Sequence, residues 1–329
     1  MNQKTIYFSI LVMISIFFCS YILNNMSSDL LNMQTCMAKE INSTKNSMKQ
    51  EEIKKTSDFH FPTAKGLIVY GGNPESNMVT IDASDIERGY IMVKCDNGSD
   101  ANKKIILQGP TGLKYTYDLN AEGKYEVFVL SEGDGQYVVT VYENIEGSKY
   151  SILFGQQIDV TLENPFIPFL NPNQYVNYKE DSQVVKLAEK LTVGLQNDIE
   201  KVETVYHYVV DHITYDKQKA QTVQSGYLPD IDEVLRNENG ICFDYAAVMT
   251  AMLRSQDIPT KLVTGFTGNT YHAWISTYIA EFGWVEGVIF FDGTTWKLMD
   301  PTLAAAVTSE KKNDRYLIRN RNYIEKYIY

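Results

Sequence analysis

The 329-residue chain is poor in cysteine and histidine and has no block of lysine or arginine. Its four cysteines, at 19, 36, 95 and 242, form no CxxC pair and have no zinc-ligand spacing. That argues against a metal site, and neither a metal nor another cofactor is expected. A Cys36–Cys95 disulfide is conceivable. With 30 Lys and Arg against 41 Asp and Glu, the net charge is −11. A field of that sign disfavours polyanionic partners, nucleic acid and anionic headgroups among them. The 44% hydrophobic and 22% charged residues are ordinary globular usage, so a collagen-like, low-complexity or wholly disordered chain is excluded. At about 150 residues per domain the length suggests two domains. The 23 tyrosines suit β-structure and wet carbohydrate or peptide surfaces.

Residues 6–23, IYFSILVMISIFFCSYIL, carry no charge and follow Lys4. A span needs about 17 to 25 apolar residues and a cleaved signal about 7 to 15, so the length favours an uncleaved anchor over residues 1–27. Lys4 on the short side would keep the amino terminus in the cytoplasm and send the rest outward. The expectation is a single-pass membrane protein with its bulk outside the cell, or a secreted one if the segment is cleaved. Residues 28–65 are polar and mixed in charge, and read as a stalk.

From residue 66 to 163 short apolar or alternating runs (LIVY, MVTI, YIMV, IIL, YEVFVL, YVVTVY, YSILF) are broken by turn residues. These predict seven or eight β-strands and an immunoglobulin-like sandwich. Gly109-Pro110-Thr111-Gly112 and Gly133-Asp134-Gly135 fall where hairpin turns need positive φ. Three prolines between residues 163 and 178 mark a junction to a second domain, 164–329. There Ile199, Val202, Tyr206, Val209 and Ile213 recur at helical steps, with Asn197 and Asp198 offering the helix start.

Chemistry concentrates around Cys242. The run Asn239-Gly240-Ile241-Cys242-Phe243-Asp244 leads into AVMTAMLRS, a strong helix former, so Cys242 sits at a helix start. The dipole and the amides of a first turn favour a thiolate and could stabilise an oxyanion. A lone cysteine is more often a small buried hydrophobe, so the partners matter. His272 opens the alternating run HAWISTYI, read as a strand. Asp300 ends WKLMD just before Pro301, and Asp292, in an Asp-Gly turn signal, is its rival. Cysteine, histidine and aspartate so placed make a workable nucleophile, base and orienter. Asp244 in the first helical turn is expected to cap amides and compensate the dipole.

Gly240-Ile241-Cys242-Phe243-Asp244-Tyr245-Ala246, Gly265-Phe266, His272-Ala273-Trp274 and Asp300-Pro301-Thr302, in this order, resemble the motifs of the transglutaminase-like superfamily, whose core is distantly related to papain-type peptidases. The resemblance covers about residues 180 to 305. It implies an α+β core in which Cys242 is the nucleophile, His272 the general base and acid, and Asp300 the group that orients the imidazole. Animal transglutaminases carry an oxyanion-supporting tryptophan upstream of the cysteine, whereas all three tryptophans here lie downstream. Tyr215, with its phenol donor, is the candidate for that support, and Trp274 is expected to pack beside His272.

The expected activity is thiol-dependent acyl transfer or hydrolysis at an amide of a protein or peptide, with a cell-wall or surface protein as the guess from location. The rival from another class is a noncatalytic binding protein that uses the same fold as a recognition scaffold.

Overall fold

Period-two alternation shapes most of the chain between Val69 and Val160. The computed structural model describes residues 61–280, 282–286, 289–291, 296–298 and 323–329. Strands β1 (Val69–Gly71), β2 (Val79–Asp82), β3 (Tyr90–Cys95), β4 (Lys103–Gln108), β5 (Lys114–Leu119), β6 (Glu126–Val129), β7 (Gly135–Glu146) and β8 (Lys149–Val160) form two four-stranded antiparallel sheets, ordered β1-β2-β3-β6 and β5-β4-β7-β8. In β4, Lys103, Ile105 and Leu107 are buried while the residues between them are half-exposed.

Strand β5 has no aliphatic run to announce it. Its inward positions are Tyr115, Tyr117 and Leu119, and tyrosine supplies the buried area that valine or isoleucine supplies elsewhere. The Gly109–Gly112 turn closes the β4–β5 hairpin, with Gly112 at φ +86°. The Gly133–Gly135 turn does something else. Strands β6 and β7 belong to different sheets, so this turn carries the chain from one sheet to the other instead of closing a hairpin.

The proline-containing junction is packed rather than tethered loosely, with Ile167, Phe169, Val176 and Tyr178 all buried. Helices α1 (Gln183–Thr192) and α2 (Asp198–His212) follow. The three- and four-residue spacing of Val202, Tyr206 and Val209 buries one stripe of α2, and Asn197 caps it by accepting from the Ile199 N–H at 2.7 Å.

Strand β9 (Thr214–Tyr215), helix α3 (Lys217–Thr222), helix α4 (Ile231–Asn237), strand β10 (Asn239–Gly240) and helix α5 (Cys242–Arg254) come next. Helix α1 takes its cap from α4, whose Asp232 carboxylate accepts from the Gln183 and Val184 N–H groups at 3.0 Å each. Helix α5 is buried on all sides from Asp244 to Arg254, as its alanine, methionine and leucine content requires. It packs on α1, α2 and α4, and on strands β11 (Thr260–Thr267) and β12 (Thr270–Ile279).

Strands β13 (Gly283–Glu286), β14 (Ile289–Phe291), β15 (Trp296–Leu298) and β16 (Tyr323–Ile328) complete the described elements. The second-half sheet runs β13-β12-β11-β16, while β14 pairs with β15. One hydrophobic cluster extends from Val79 through both early sheets, the helices and Tyr329, and all described residues fall in one unit, Phe59–Tyr329. The architecture is α+β.

One expectation is corrected. The single-pass placement, with the bulk of the chain outside the cell, finds no spanning helix among the described residues. No helix among the described residues is long and apolar enough to cross a membrane. The longest of them, α2, has 15 residues with a polar face, against the roughly 17 to 25 apolar residues a span needs. Segment 6–23 lies outside the described residues, as does Cys36. Cys95, the other half of the conceivable disulfide, is a buried thiol.

Candidate active site

Two short strands set the approach to Cys242. Strand β9 pairs in parallel with β10, matching Thr214 with Asn239 and Tyr215 with Gly240. The ladder is closed by Thr214 N–H donating to the Glu238 carbonyl and Asp216 N–H donating to the Gly240 carbonyl, both at 2.8 Å. Gly240 is required here because a Cβ would come within 2.6 Å of the Asp244 Cβ. The chain can therefore turn tightly into α5, whose first residue is Cys242, half-buried and not in a disulfide. The N–H groups of a helix's first turn have no intrahelical acceptors and sit at the positive dipole end. A thiolate and an oxyanion are both stabilised at such a place.

Asp244, two residues on, is wholly buried. Its Oδ2 accepts from the Ile241 N–H at 2.8 Å and from Lys219 Nζ at 2.8 Å, and its Oδ1 accepts from the Tyr227 hydroxyl at 2.6 Å. Lys219 Nζ also donates to the Tyr227 oxygen at 2.6 Å. Burial and the hydrogen bond to Asp244 push the Tyr227 phenol far above its ordinary range. The capping expected of Asp244 is thus present, with an ion pair added. Lys219 and Tyr227 escaped sequence reasoning, because no periodicity or motif links them to the cysteine helix. At the next residue along, the Tyr245 hydroxyl anchors the helix by donating to the Ile213 carbonyl.

His272 lies near the start of β12, half-buried and paired with Gly265 of β11. Its ring centroid is 6.5 Å from that of Trp274 at an interplanar angle of 26°, and Trp274 is buried. The helix of Cys242 packs against β12 and β11, so the elements that carry Cys242 and His272 are neighbours. Tyr215 stands beside Gly240 in the two-strand ladder, 6.5 Å from the Tyr245 ring. Asp300 and its rival Asp292 lie outside the described residues.

An open cleft of about 470 Å³ lies against the same corner, lined by Asp216, Lys219, Tyr227, Asp230, Glu233 and Asn239 among others. A larger groove, about 910 Å³, is lined by Met92, Tyr125, Glu126, Gln174 and Tyr178 and does not include Cys242 or His272. Among the described residues no group of three His, Cys, Asp or Glu is placed to hold a metal ion.

A cysteine that opens a buried helix, packed on the strand of a histidine, is an arrangement nucleophilic catalysis can use where the two side chains come within hydrogen-bond reach. Residues 185–287 match the transglutaminase-like superfamily core. The match is to that domain alone, residues 185–287, which is thus similar to the core of the transglutaminase-like superfamily.

The chain is 28% identical over 123 residues to the uncharacterized protein YebA of Bacillus subtilis, an alignment that takes in 31% of this chain and 17% of YebA. It is 22% identical over 138 residues to the kyphoscoliosis peptidase of Mus musculus, covering 42% of this chain and 21% of the peptidase. The chain therefore spans about a fifth of the length of either relative. Among solved structures it is similar to a candidate cysteine protease from Cytophaga hutchinsonii, with a TM-score of 0.33 at 18% identity, covering 65% of this chain and 78% of the other.

Proposed function

We propose that the protein is a transglutaminase-like cysteine enzyme that cleaves or transfers acyl groups at an amide of a protein or peptide, with Cys242, His272 and Asp300 as its triad. The reading is supported above all by the position of Cys242 at the amino end of a buried helix packed on the strand of His272, both inside the matched superfamily region. In this mechanism the Cys242 thiolate attacks the amide carbonyl and forms the C–S bond. The C–N bond then breaks, His272 hands its proton to the departing amine, and Asp300 holds the imidazolium in orientation. Water or a primary amine attacks the thioester, gives up a proton to His272, and releases the sulfur. The Cys242 N–H is one oxyanion donor and the Tyr215 hydroxyl the second. Within this reading the two early sheets form an immunoglobulin-like sandwich that carries the catalytic region, residues 164–329. The name of the mouse relative, a peptidase, favours water as the acceptor.

The test is incorporation of a labelled primary amine into a glutamine-bearing protein, run beside peptide-bond cleavage of the same protein, with Cys242→Ala as control. Signal lost in Cys242→Ala in either assay is the expected outcome, and the assay that shows it names the acceptor. Equal signal in wild type and Cys242→Ala in both assays, or none in either, rejects the catalytic reading and leaves the fold as a recognition scaffold.

A further inference from the structure

The buried carboxylate of Asp244 poses an electrostatic problem for a nucleophile two residues away. A negative charge at the first turn of the cysteine helix opposes formation of a thiolate there. With 0% of its surface exposed, Asp244 has no water to screen it. The fold places a cation against it instead, since Lys219 Nζ lies 2.8 Å from Oδ2 and its side chain is 29% exposed. The Tyr227 hydroxyl fills the other oxygen at 2.6 Å and also takes a hydrogen bond from Lys219. Helix α3, which carries Lys219, is itself fixed to the nucleophile loop. Asp216 caps it through the Lys219 N–H at 2.8 Å while the Asp216 N–H holds the Gly240 carbonyl.

We infer that Lys219, Tyr227 and Asp244 are a charge-balanced set of positioning residues that holds the start of helix α5 and keeps Cys242 reactive. The inference rests on Cys242 being the nucleophile proposed above. Asp244 satisfies the Ile241 N–H and so fixes the angle at which the chain enters the helix. Lys219 cancels the charge that this capping introduces. Tyr227 locks the lysine on the carboxylate, with Nζ also 4.4 Å from the centre of its ring. Other titratable groups on the neighbouring elements are Asp230, the cap of α4, and Glu233 of α4, which add negative potential at Tyr227, Asp216 and Tyr215 beside β10, and His272 on β12, the strand that packs against α5. None of these is a cation matched to Asp244 as Lys219 is. The roughly 470 Å³ cleft is lined by Lys219 and Tyr227 but not by Asp244, so solvent reaches the outer side of the clamp while neutralisation of the buried carboxylate comes from Lys219.

The experiment is the rate of alkylation of Cys242 by iodoacetamide across pH 5 to 10, followed by peptide mass spectrometry on the folded full chain, a readout that needs no substrate. Lys219→Met is expected to slow alkylation at neutral pH by about tenfold, one pH unit of displacement of the profile to the alkaline side. Asp244→Asn, which keeps an oxygen for the Ile241 N–H but drops the charge, is expected to move the profile the other way. The double variant returns it to within about twofold of wild type, as cancelling charges require. Lys219→Arg retains the wild-type profile. Profiles that shift in the same direction in both single variants, or in neither, overturn the inference, since a purely structural clamp would slow every variant alike. If Lys219→Met does not fold, the Asp244→Asn profile decides alone. The failure of the underlying reading looks different: wild-type Cys242 would itself alkylate no faster than an ordinary thiol.

Discussion

The Trp274 ring lies over Gly265 so closely that a Cβ on the glycine would come within 2.9 Å of Trp274 Cη2. On its other side the same Cβ would meet the Ile324 carbonyl oxygen at 2.0 Å. Gly265 pairs with His272 across β11 and β12, so the absence of a side chain sets both the seating of Trp274 and the approach of β16. Gly265→Ala forces one of these neighbours to move. A loss of about 1–3 kcal/mol in urea unfolding is expected, and an unchanged midpoint would mean that the close packing around Gly265 is not maintained in solution.

Arg254 is the second place where a single side chain joins distant segments. It is fully buried, and its guanidinium donates to the carbonyls of Thr260 at 2.8 Å, Asn171 at 2.6 Å and Tyr329 at 2.6 Å. The three acceptors come from β11, the proline-containing junction and the segment after β16. Burial holds its pKa down to about 10. Lysine has one point of charge and cannot reach three acceptors arranged for a planar fork. Arg254→Lys is expected to cost about 1–3 kcal/mol for each carbonyl left without a donor, seen as a lowered denaturation midpoint with near-normal secondary structure.

A third expectation concerns alkaline stability. Burial pushes Tyr175 up to about 12, and drives Tyr117 and Tyr329 well above the ordinary phenol range. Their rings meet at centroid distances of 4.2 to 6.1 Å. Each of these groups keeps its proton longer folded than unfolded. Their contribution is therefore complete below the unfolded value near 10 and disappears as pH rises above it, by up to about 1.4 kcal/mol per pH unit and tyrosine. Arg254, lowered by burial, works in the opposite sense between about 10 and its ordinary 12.5, but it is one group against several. Urea midpoints should hold to about pH 9.5 and then fall steeply, with tyrosinate absorbance rising together with unfolding. Full tyrosine ionisation near pH 10 in protein that stays folded would contradict the buried cluster.

The two thiols among the described residues should separate cleanly in a labelling experiment. Cys95 is buried and burial raises its pKa, whereas Cys242 is half-buried at a helix start. Brief treatment of the native protein with a small alkylating agent is expected to modify Cys242 and spare Cys95 until denaturant is added. Equal labelling of both in the native state would show that β3 opens readily.

Much of this arrangement was legible before any coordinates. Seven of the first eight strands were visible because alternation is local, and α2 was visible because its stripe repeats every three or four residues. Strand β5 escaped because tyrosine alternating with threonine and charge does not look apolar, though Tyr115 and Tyr117 are buried. Gly133-Asp134-Gly135 suits a hairpin locally, but a glycine's φ does not reveal which sheet the next strand will join, and β6 and β7 lie in different sheets. Arg254 is a cation in the last turn of α5, where its own helix end would accept it, and it reaches other segments instead.

What the sequence by itself determined is the order of the elements and the residue types at the turns, because these depend on neighbours within one or two helical turns. It also determined that a cysteine would open a helix and a histidine a strand, each through its own flanking residues. Only the tertiary structure decided that Lys219 would meet Asp244, that Gly265 would lie beneath Trp274, and that Arg254 would hold three carbonyls. Those contacts join segments far apart in the chain, where packing of the whole core, not local preference, selects the partner.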